Sequence, residues 1–423
     1  MEYISSKNIC LLIRDTCKLF DRRPMDHGSR TGYIMYKMLL QKGGYELFEL
    51  ADFLMIATLH DIGVYHLGHL GDRQEYEFKN PVPHSVFGYL FLKNFSPLGD
   101  LSKMLLYHRI PSAKMENVEF EYKEETEILK LAEAVDIYYS AAKDRFKPGM
   151  FRIQQGTVYS RQALDLFDLS LKEENYLEKL DDDSYQTELD ELLDYIMLPN
   201  EHKTAYMEML MYCLGFRSEK CIVDSLRSLA ITEELGKRLK LRPEERERLY
   251  YGTLLHDIGM LSIPISVIDA PRSLTKEEIS LMRTHVVREE KILLNRMDPE
   301  IVKICTCHHE RLDGSGYPFG IKEFEMTLPQ MILQVADIVT GLTAERNHKP
   351  PKSKDAVIEI LRQEAMNHRL NTNVVSAMIE NYDIIENVVK TRIATNLEIR
   401  KDMMAKYEAY TKAFGGNGGK QDA

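Results

Sequence analysis

No tryptophan occurs in this sequence, and its six cysteines fit no trusted metal-binding spacing. Cys305 and Cys307 are only two apart, so free buried thiols are the expectation. No apolar run reaches the roughly 18 residues of a transmembrane helix, and no membrane insertion is expected. The N-terminus lacks a basic-then-apolar leader, which points to the cytoplasm. Nor is any separate receiver, membrane or sensor segment expected ahead of the first helical unit. An excess of positive charge is missing too. The net charge of -11 argues against a non-specific binder of nucleic-acid polymer. An anionic substrate would have to be held by a few local cations or by metal. Period-two alternation is scarce, and Gly and Pro fall between long helical-period segments, so an all-α chain is predicted. At 423 residues there is room for two or three domains.

What is present is histidine in a pattern. The run His308-His309-Glu310-Arg311-Leu312-Asp313-Gly314-Ser315-Gly316-Tyr317-Pro318 joins two imidazoles and a carboxylate to a Gly/Pro loop. Imidazoles bind divalent transition metals, and glycine lets backbone approach a ligand closely. The run reads as a metal site with a substrate cover.

Counting from it reveals a repeat. Leu59-His60-Asp61-Ile62-Gly63 recurs as Leu255-His256-Asp257-Ile258-Gly259. His84 to His108 and His285 to His309 are both 24 residues, and His108 to Asp136 and His309 to Asp337 are both 28. Upstream, His27 and Asp224 precede the His-Asp pairs by 33 and 32 residues, each followed three residues later by Arg30 or Arg227. A lone histidine on such a helix is ordinarily a satisfied core residue; the ordered set carries the claim. On this alignment Tyr107 stands where His308 stands.

Two tandem helical domains joined by a helical bridge are therefore predicted. The N-terminal domain takes residues 1–172 and lacks the glycine loop. An acidic helical bridge takes 173–215, the C-terminal domain 216–400, and a helix end with a disordered tail 401–423. The stretch from Lys172 to Asp183 reads as a solvated connector. Asp183 or Ser184 is the expected cap of the next helix. Leu189, Leu192, Leu193, Ile196 and Met197 read as its buried face, and Pro199 as its end. Thr275 and Glu278 have capping-box spacing ahead of the helix that presents His285. His66 and His69 read as surface loop histidines.

A mixed imidazole and carboxylate shell suits Fe or Mn, with Zn or Ni also open. Two ions sharing Asp257 would hold a water of lowered pKa for in-line attack at phosphorus.

At His256-Asp257-Ile258-Gly259, Leu274 to Glu278, His285, the run His308 to Pro318 and Val335-Ala336-Asp337, residues 216–385 resemble the HD-GYP family of HD-superfamily metal-dependent phosphohydrolases. The resemblance implies an α-helical HD fold. It also implies a centre of two or three ions and hydrolysis of a cyclic dinucleotide, usually cyclic di-GMP, to the linear dinucleotide or GMP. It implies metal ligation by His256, Asp257, His285, His308, His309 and Asp337, with Asp224 where the family has a first histidine. It further implies phosphate binding by Arg346 and Lys349, with Gly314, Gly316, Tyr317 and Pro318 flanking the substrate. Met260 replaces the family's lysine, which predicts slower chemistry. Lys220 and Arg23 stand where an acid would support a third metal, so two ions per site are expected, with Mg as a further alternative metal.

The N-terminal unit keeps His27, His60, Asp61, His84, His108 and Asp136 in HD order. Metal is expected in both units, with cyclic-dinucleotide specificity in the second. Asp257, His256 and Asp61 are the catalytic candidates. Two alternatives stay open: a catalytically weak cyclic-dinucleotide receptor, or a phosphohydrolase acting on another nucleotide through the N-terminal unit. A homodimer or a signalling partner protein is an expected association.

Overall fold

The computed structural model describes residues 3–67, 82–116, 118–345 and 350–415, which form helices and no strands. In chain order the main helices are α1 (Ser6–Phe20), α2 (Arg22–Lys42), α3 (Leu47–Thr58), α4 (Val82–Phe95), α5 (Met104–Tyr107), α6 (Lys123–Ala142), α7 (Arg161–Glu173), α8 (Tyr185–Tyr195) and α9 (Asn200–Cys213). There follow α10 (Glu219–Arg238), α11 (Pro243–Leu255), α12 (Lys276–Leu293), α13 (Pro299–Thr306), α14 (Leu328–Thr343), α15 (Lys354–Met366), α16 (Thr372–Glu380) and α17 (Tyr382–Gly415). Among the described residues no helix is long and apolar enough to cross a membrane. The six cysteines are free and buried.

Among the described residues two compact units form, one from the spans 21–206 and 402–415 and the other from 3–20 and 207–401. Segments 3–20 and 402–415 therefore each join the unit remote from them in sequence, unlike the contiguous domains read from the chain. Most of the expected bridge, residues 173–206, belongs to the N-terminal unit.

In the N-terminal unit α2 packs on α3, α6 and α7. The apolar stripe of α6, Ile128, Leu129, Leu131, Ala132 and Val135, is fully buried, as helical spacing requires. The connector after Lys172 is not simply solvated. Tyr176, Leu177 and Leu180 are buried, and the Tyr176 ring meets Tyr33 edge-on at 5.8 Å. Its Glu174 finds a cation: Lys37 Nζ lies 2.8 Å from Glu174 and 2.9 Å from Glu188 of α8. Helix α8 starts after Ser184, whose side chain makes no cap. Asp182 instead accepts from the Ser184 amide at 3.0 Å. The helix ends at Tyr195, so Ile196 is buried from extended backbone and Met197 is left 76% exposed. Pro199 disfavours helix at the residue before it, and the chain leaves helical geometry early. His66 also departs from expectation, since its ring stacks on Phe87 at 3.8 Å. His69 lies outside the described residues.

Asp52 on α3 is half-buried, and burial pushes its carboxyl up to about 6, with Glu49 adding to the rise and His202 opposing it. A folded pKa above the unfolded value of about 3.9 means stability is lost as pH rises from about 4 to about 6. Asp52→Asn should therefore stabilise the protein at pH 7.5 by about 1 kcal/mol, after discounting for partial exposure, and by close to nothing at pH 4. Urea unfolding at the two pH values checks this; an equal gain at both would refute the assignment.

In the C-terminal unit α10 packs on α11 and α14, and α11 on α13. The core joins Ala230, Leu235, Ile304, Ile332, Val335 and Val339. The capping box read from sequence forms at the start of α12: Thr275 Oγ1 accepts from the Glu278 amide at 3.2 Å, and Glu278 accepts from the Thr275 amide at 2.8 Å. This fixes where α12 begins, and with it where His285 points.

Candidate metal centres

In the C-terminal unit the ligand-type residues come from four helix ends or faces. His256 and Asp257 follow α11, His285 lies on α12, His308 and His309 follow α13, and Asp337 lies on α14. His256, His285 and His308 are buried; Asp257, His309 and Asp337 are partly open.

Backbone carbonyls set the tautomers. The Nδ1 of His256, His285 and His308 lies 2.6, 2.7 and 2.5 Å from the carbonyl oxygen three residues earlier, at Thr253, Met282 and Cys305. A carbonyl only accepts, so Nδ1 carries the proton and each Nε2 presents a lone pair. The Nε2 atoms of His285 and His308 then face one another at 3.2 Å. Burial holds both imidazoles below their usual pKa, and in His308 the neighbouring histidines add to this. Two facing lone pairs at that distance repel, and a cation shared by both would relieve the repulsion. Asp257 approaches the same place, with Oδ1 3.7 Å from His285 Nε2 and Oδ2 3.4 Å from His256 Nε2. His309 Nδ1 lies 3.2 Å from Asp337 Oδ2. The Asp337 carboxyl is pushed up by burial, but His309 outweighs this and its pKa is lowered. Donor atoms of His285, His308 and His309 lie within 4.8 Å of one another. This donor set fits a divalent transition metal. Asp224 is half-buried on α10 and is not part of that close cluster.

The loop after His309 is built around Glu310. This buried carboxylate accepts from the Phe319 and Gly320 amides at 2.7 and 3.1 Å. Gly316 sits so close that a Cβ there would fall 2.3 Å from Glu310 Cα. Tyr317 stacks on His309 with ring centres 4.7 Å apart, and the Arg283 guanidinium lies 4.7 Å from the Tyr317 ring centre. The loop is thus held against a ligand imidazole. Gly314 and Pro318 shape it, and the Tyr317-Pro318 peptide is cis. Arg346 and Lys349 lie outside the described residues.

Sequence reading passed over three residues here. Glu289 is buried one turn after His285, with neither carboxylate oxygen hydrogen-bonded; burial, with Asp257, pushes its carboxyl well up. Its i, i+4 relation to His285 was a signal that it shares that face. Arg283 is exposed, and no carboxylate partners it among the described residues. Glu310 was seen only as one more carboxylate, and its part as the loop's clamp needs the fold.

In the N-terminal unit His27, His60, Asp61, His84, His108 and Asp136 also converge. His60 and His108 carry the same Nδ1-to-carbonyl bonds, at 2.7 Å to Ala57 and 2.8 Å to Leu105. His108 therefore matches His308, not His309. Both are fully buried and edge-on to the histidine of the His-Asp pair, at 5.6 Å from His60 and 5.1 Å from His256. The count of 24 residues is off by one in space, and Arg109 falls where His309 falls. Asp136 is engaged by His27 Nδ1 at 2.6 Å and by Arg30 at 2.6 and 3.0 Å. Burial works against charge on His27, but the Asp136 bond outweighs it and the pKa is raised. Glu133, one turn before Asp136, joins the pocket, with Oε2 3.7 Å from His108 Nε2.

A helical unit with His-Asp at a helix end, flanked by histidines and an aspartate from neighbouring helices, has the arrangement of an HD domain. Residues 208–374 match the HD domain family. Over 385 residues the chain is 24% identical to the 3′3′-cGAMP-specific phosphodiesterase 1 of Vibrio cholerae, covering 84% of this chain and 87% of that protein. Over 182 residues it is 30% identical to a cyclic di-GMP phosphodiesterase of Pseudomonas aeruginosa, covering 42% of this chain and 43% of the relative. The chain thus spans under half the length of that second relative. A solved cyclic GMP-AMP phosphodiesterase of V. cholerae shares the fold, with a TM-score of 0.57 at 15% identity over 90% of this chain and 98% of that one.

Proposed function

We propose that the C-terminal unit hydrolyses a phosphodiester bond of a guanine-containing cyclic dinucleotide in a metal-dependent reaction. The observation that carries this is the facing pair of Nε2 lone pairs on His285 and His308, beside Asp257 and next to the loop that stacks Tyr317 on His309. Relatives named for cyclic di-GMP and for 3′3′-cGAMP support the substrate class and divide on its second base.

His256, Asp257, His285, His308, His309 and Asp337 are the residues that would hold the metal, with Asp224 completing the set if it turns inward. Bound there, a divalent ion supplies an activated water and neutralises charge at phosphorus. The protein's own part is to fix the imidazoles by their carbonyl bonds and to keep the buried face dry. Asp257, open to the pocket, orients the attacking water. Arg283, beside Tyr317, offers a guanidinium to a substrate phosphate, alongside Arg346 and Lys349. Gly314, Gly316, Tyr317 and Pro318 hold the loop that borders the substrate.

The test is anaerobic turnover of cyclic di-GMP, 3′3′-cGAMP and cyclic di-AMP with Mn(II) or Fe(II), reading linear product. Binding without product would favour the receptor alternative, which the replacement of the family lysine by Met260 also favours. Arg283→Ala should raise KM about tenfold with a smaller change in kcat, as expected for a lost phosphate contact. An unchanged KM would remove Arg283 from the substrate site.

A further inference from the structure

We infer that Arg109 takes the place of metal in the N-terminal unit, whose pocket is closed by its own guanidinium. The donor types there suit a metal, since Asp61, His84 and His108 bring ligand atoms within 4.8 Å of one another, as do His27, His60 and Glu133. Their partners do not. The Nε2 lone pair of His108, the counterpart of the one that faces a second lone pair in the C-terminal unit, here accepts from Arg109 Nε at 3.2 Å. The same guanidinium's Nη2 lies 2.5 Å from Glu133 Oε1 and 3.6 Å from Asp61 Oδ1. One side chain thus meets a member of each donor group. Its charge is fixed, and a divalent ion would have to displace it from those three residues.

A second guanidinium acts on the remaining aspartate. Arg30 binds Asp136 through two nitrogens, at 2.6 and 3.0 Å. Its counterpart Arg227 is turned to Glu386 at 3.2 Å, and Asp337 is left to His309. The carboxylates Asp61, Glu133 and Asp136 therefore face Arg109, Arg30 and His27. In the C-terminal unit the position of Arg109 is held by His309, a donor with no fixed charge. At this position Arg in one unit supplies the pocket's own cation, and His in the other leaves a donor for an ion. The burial of the pocket makes this exchange effective, because a guanidinium there meets little competing water.

The unit then acts as a metal-free pseudo-site, and the sequence-based expectation of metal in both units gives way to one centre per chain. Only the location of that one centre rests on the function proposed for the C-terminal unit. The experiment is metal analysis of the full chain, stripped with chelator, reloaded with excess Mn(II) and desalted, with far-UV circular dichroism to verify folding. Asp61→Asn should retain the wild-type metal content. Arg109→His should gain about one ion per chain, and the gain should vanish when Asp61→Asn is added. Arg109→Lys, which keeps the charge, should gain none. Loss of metal in Asp61→Asn, or a folded Arg109→His protein with no gain, would overturn the inference. A wild-type chain without metal would instead count against the C-terminal centre, while the Arg109→His gain would still decide this one.

Discussion

Asp257→Asn should lower kcat/KM for the cyclic dinucleotide by roughly 10⁴-fold, the scale seen when the aspartate of a concerted catalytic group is changed to asparagine. The substitution keeps the shape of the side chain and deletes its charge. That charge lies within 3.7 Å of the Nε2 atoms of both His256 and His285. Glu289, buried one turn after His285, does not duplicate that charge, since burial and Asp257 push its carboxyl well up. Asn is a poor ligand for a divalent ion, so metal content should fall with activity. Parallel measurement of initial rates and bound metal checks both halves. Wild-type turnover in a folded Asp257→Asn protein would remove this residue, and with it the proposed centre. Chelation of the wild-type protein should cause a similar loss, reversed by Mn(II) or Fe(II).

Gly259→Ala should be the most damaging small change to the C-terminal unit. A Cβ at residue 259 would fall 2.0 Å from the His285 carbonyl oxygen and 2.7 Å from its carbon. Both are backbone atoms, so relief requires α12 to move away from the turn that carries His256 and Asp257. Overpacking of this kind costs about 1–3 kcal/mol, and more where backbone must shift. The shift would displace His285 from the metal donors, so activity should fall beyond what lost stability explains. The same contact recurs at Gly63, where a Cβ would fall 2.0 Å from the His84 carbonyl oxygen. Gly63→Ala should therefore lower stability to a similar degree while leaving turnover per folded molecule near wild type. Thermal unfolding with specific activity separates the two variants. A Gly259→Ala protein that melts and turns over like wild type would refute the close-packing argument.

Much of this was legible in the chain because it depends on local chemistry. Helical period, the capping box at Thr275 and Glu278, and the loop from Gly314 to Pro318 are short-range features. The His-Asp pairs were legible for another reason: a ligand set drawn from separate helices leaves a repeated spacing when the unit itself is repeated. Glu310 and Arg283 were not legible, because nothing local tells a clamping carboxylate, or an arginine set over Tyr317, from an ordinary surface charge. The bridge from 173 was misjudged because charge on a short segment hid its buried Tyr176, Leu177 and Leu180.

The sequence by itself determined an all-helical protein with two sets of imidazole and carboxylate donors in matching order. Only the tertiary structure decided what those donors meet. It shifted the register, so that His108 matches His308 and Arg109 matches His309. It sent Arg30 to Asp136 but turned Arg227 to Glu386. An arginine head sits several bonds from its backbone and binds whichever carboxylate or lone pair the packing brings within about 3 Å. Residue order fixes the backbone address of such a group, whereas its partner, and so whether a pocket needs a metal or supplies its own cation, depends on the fold.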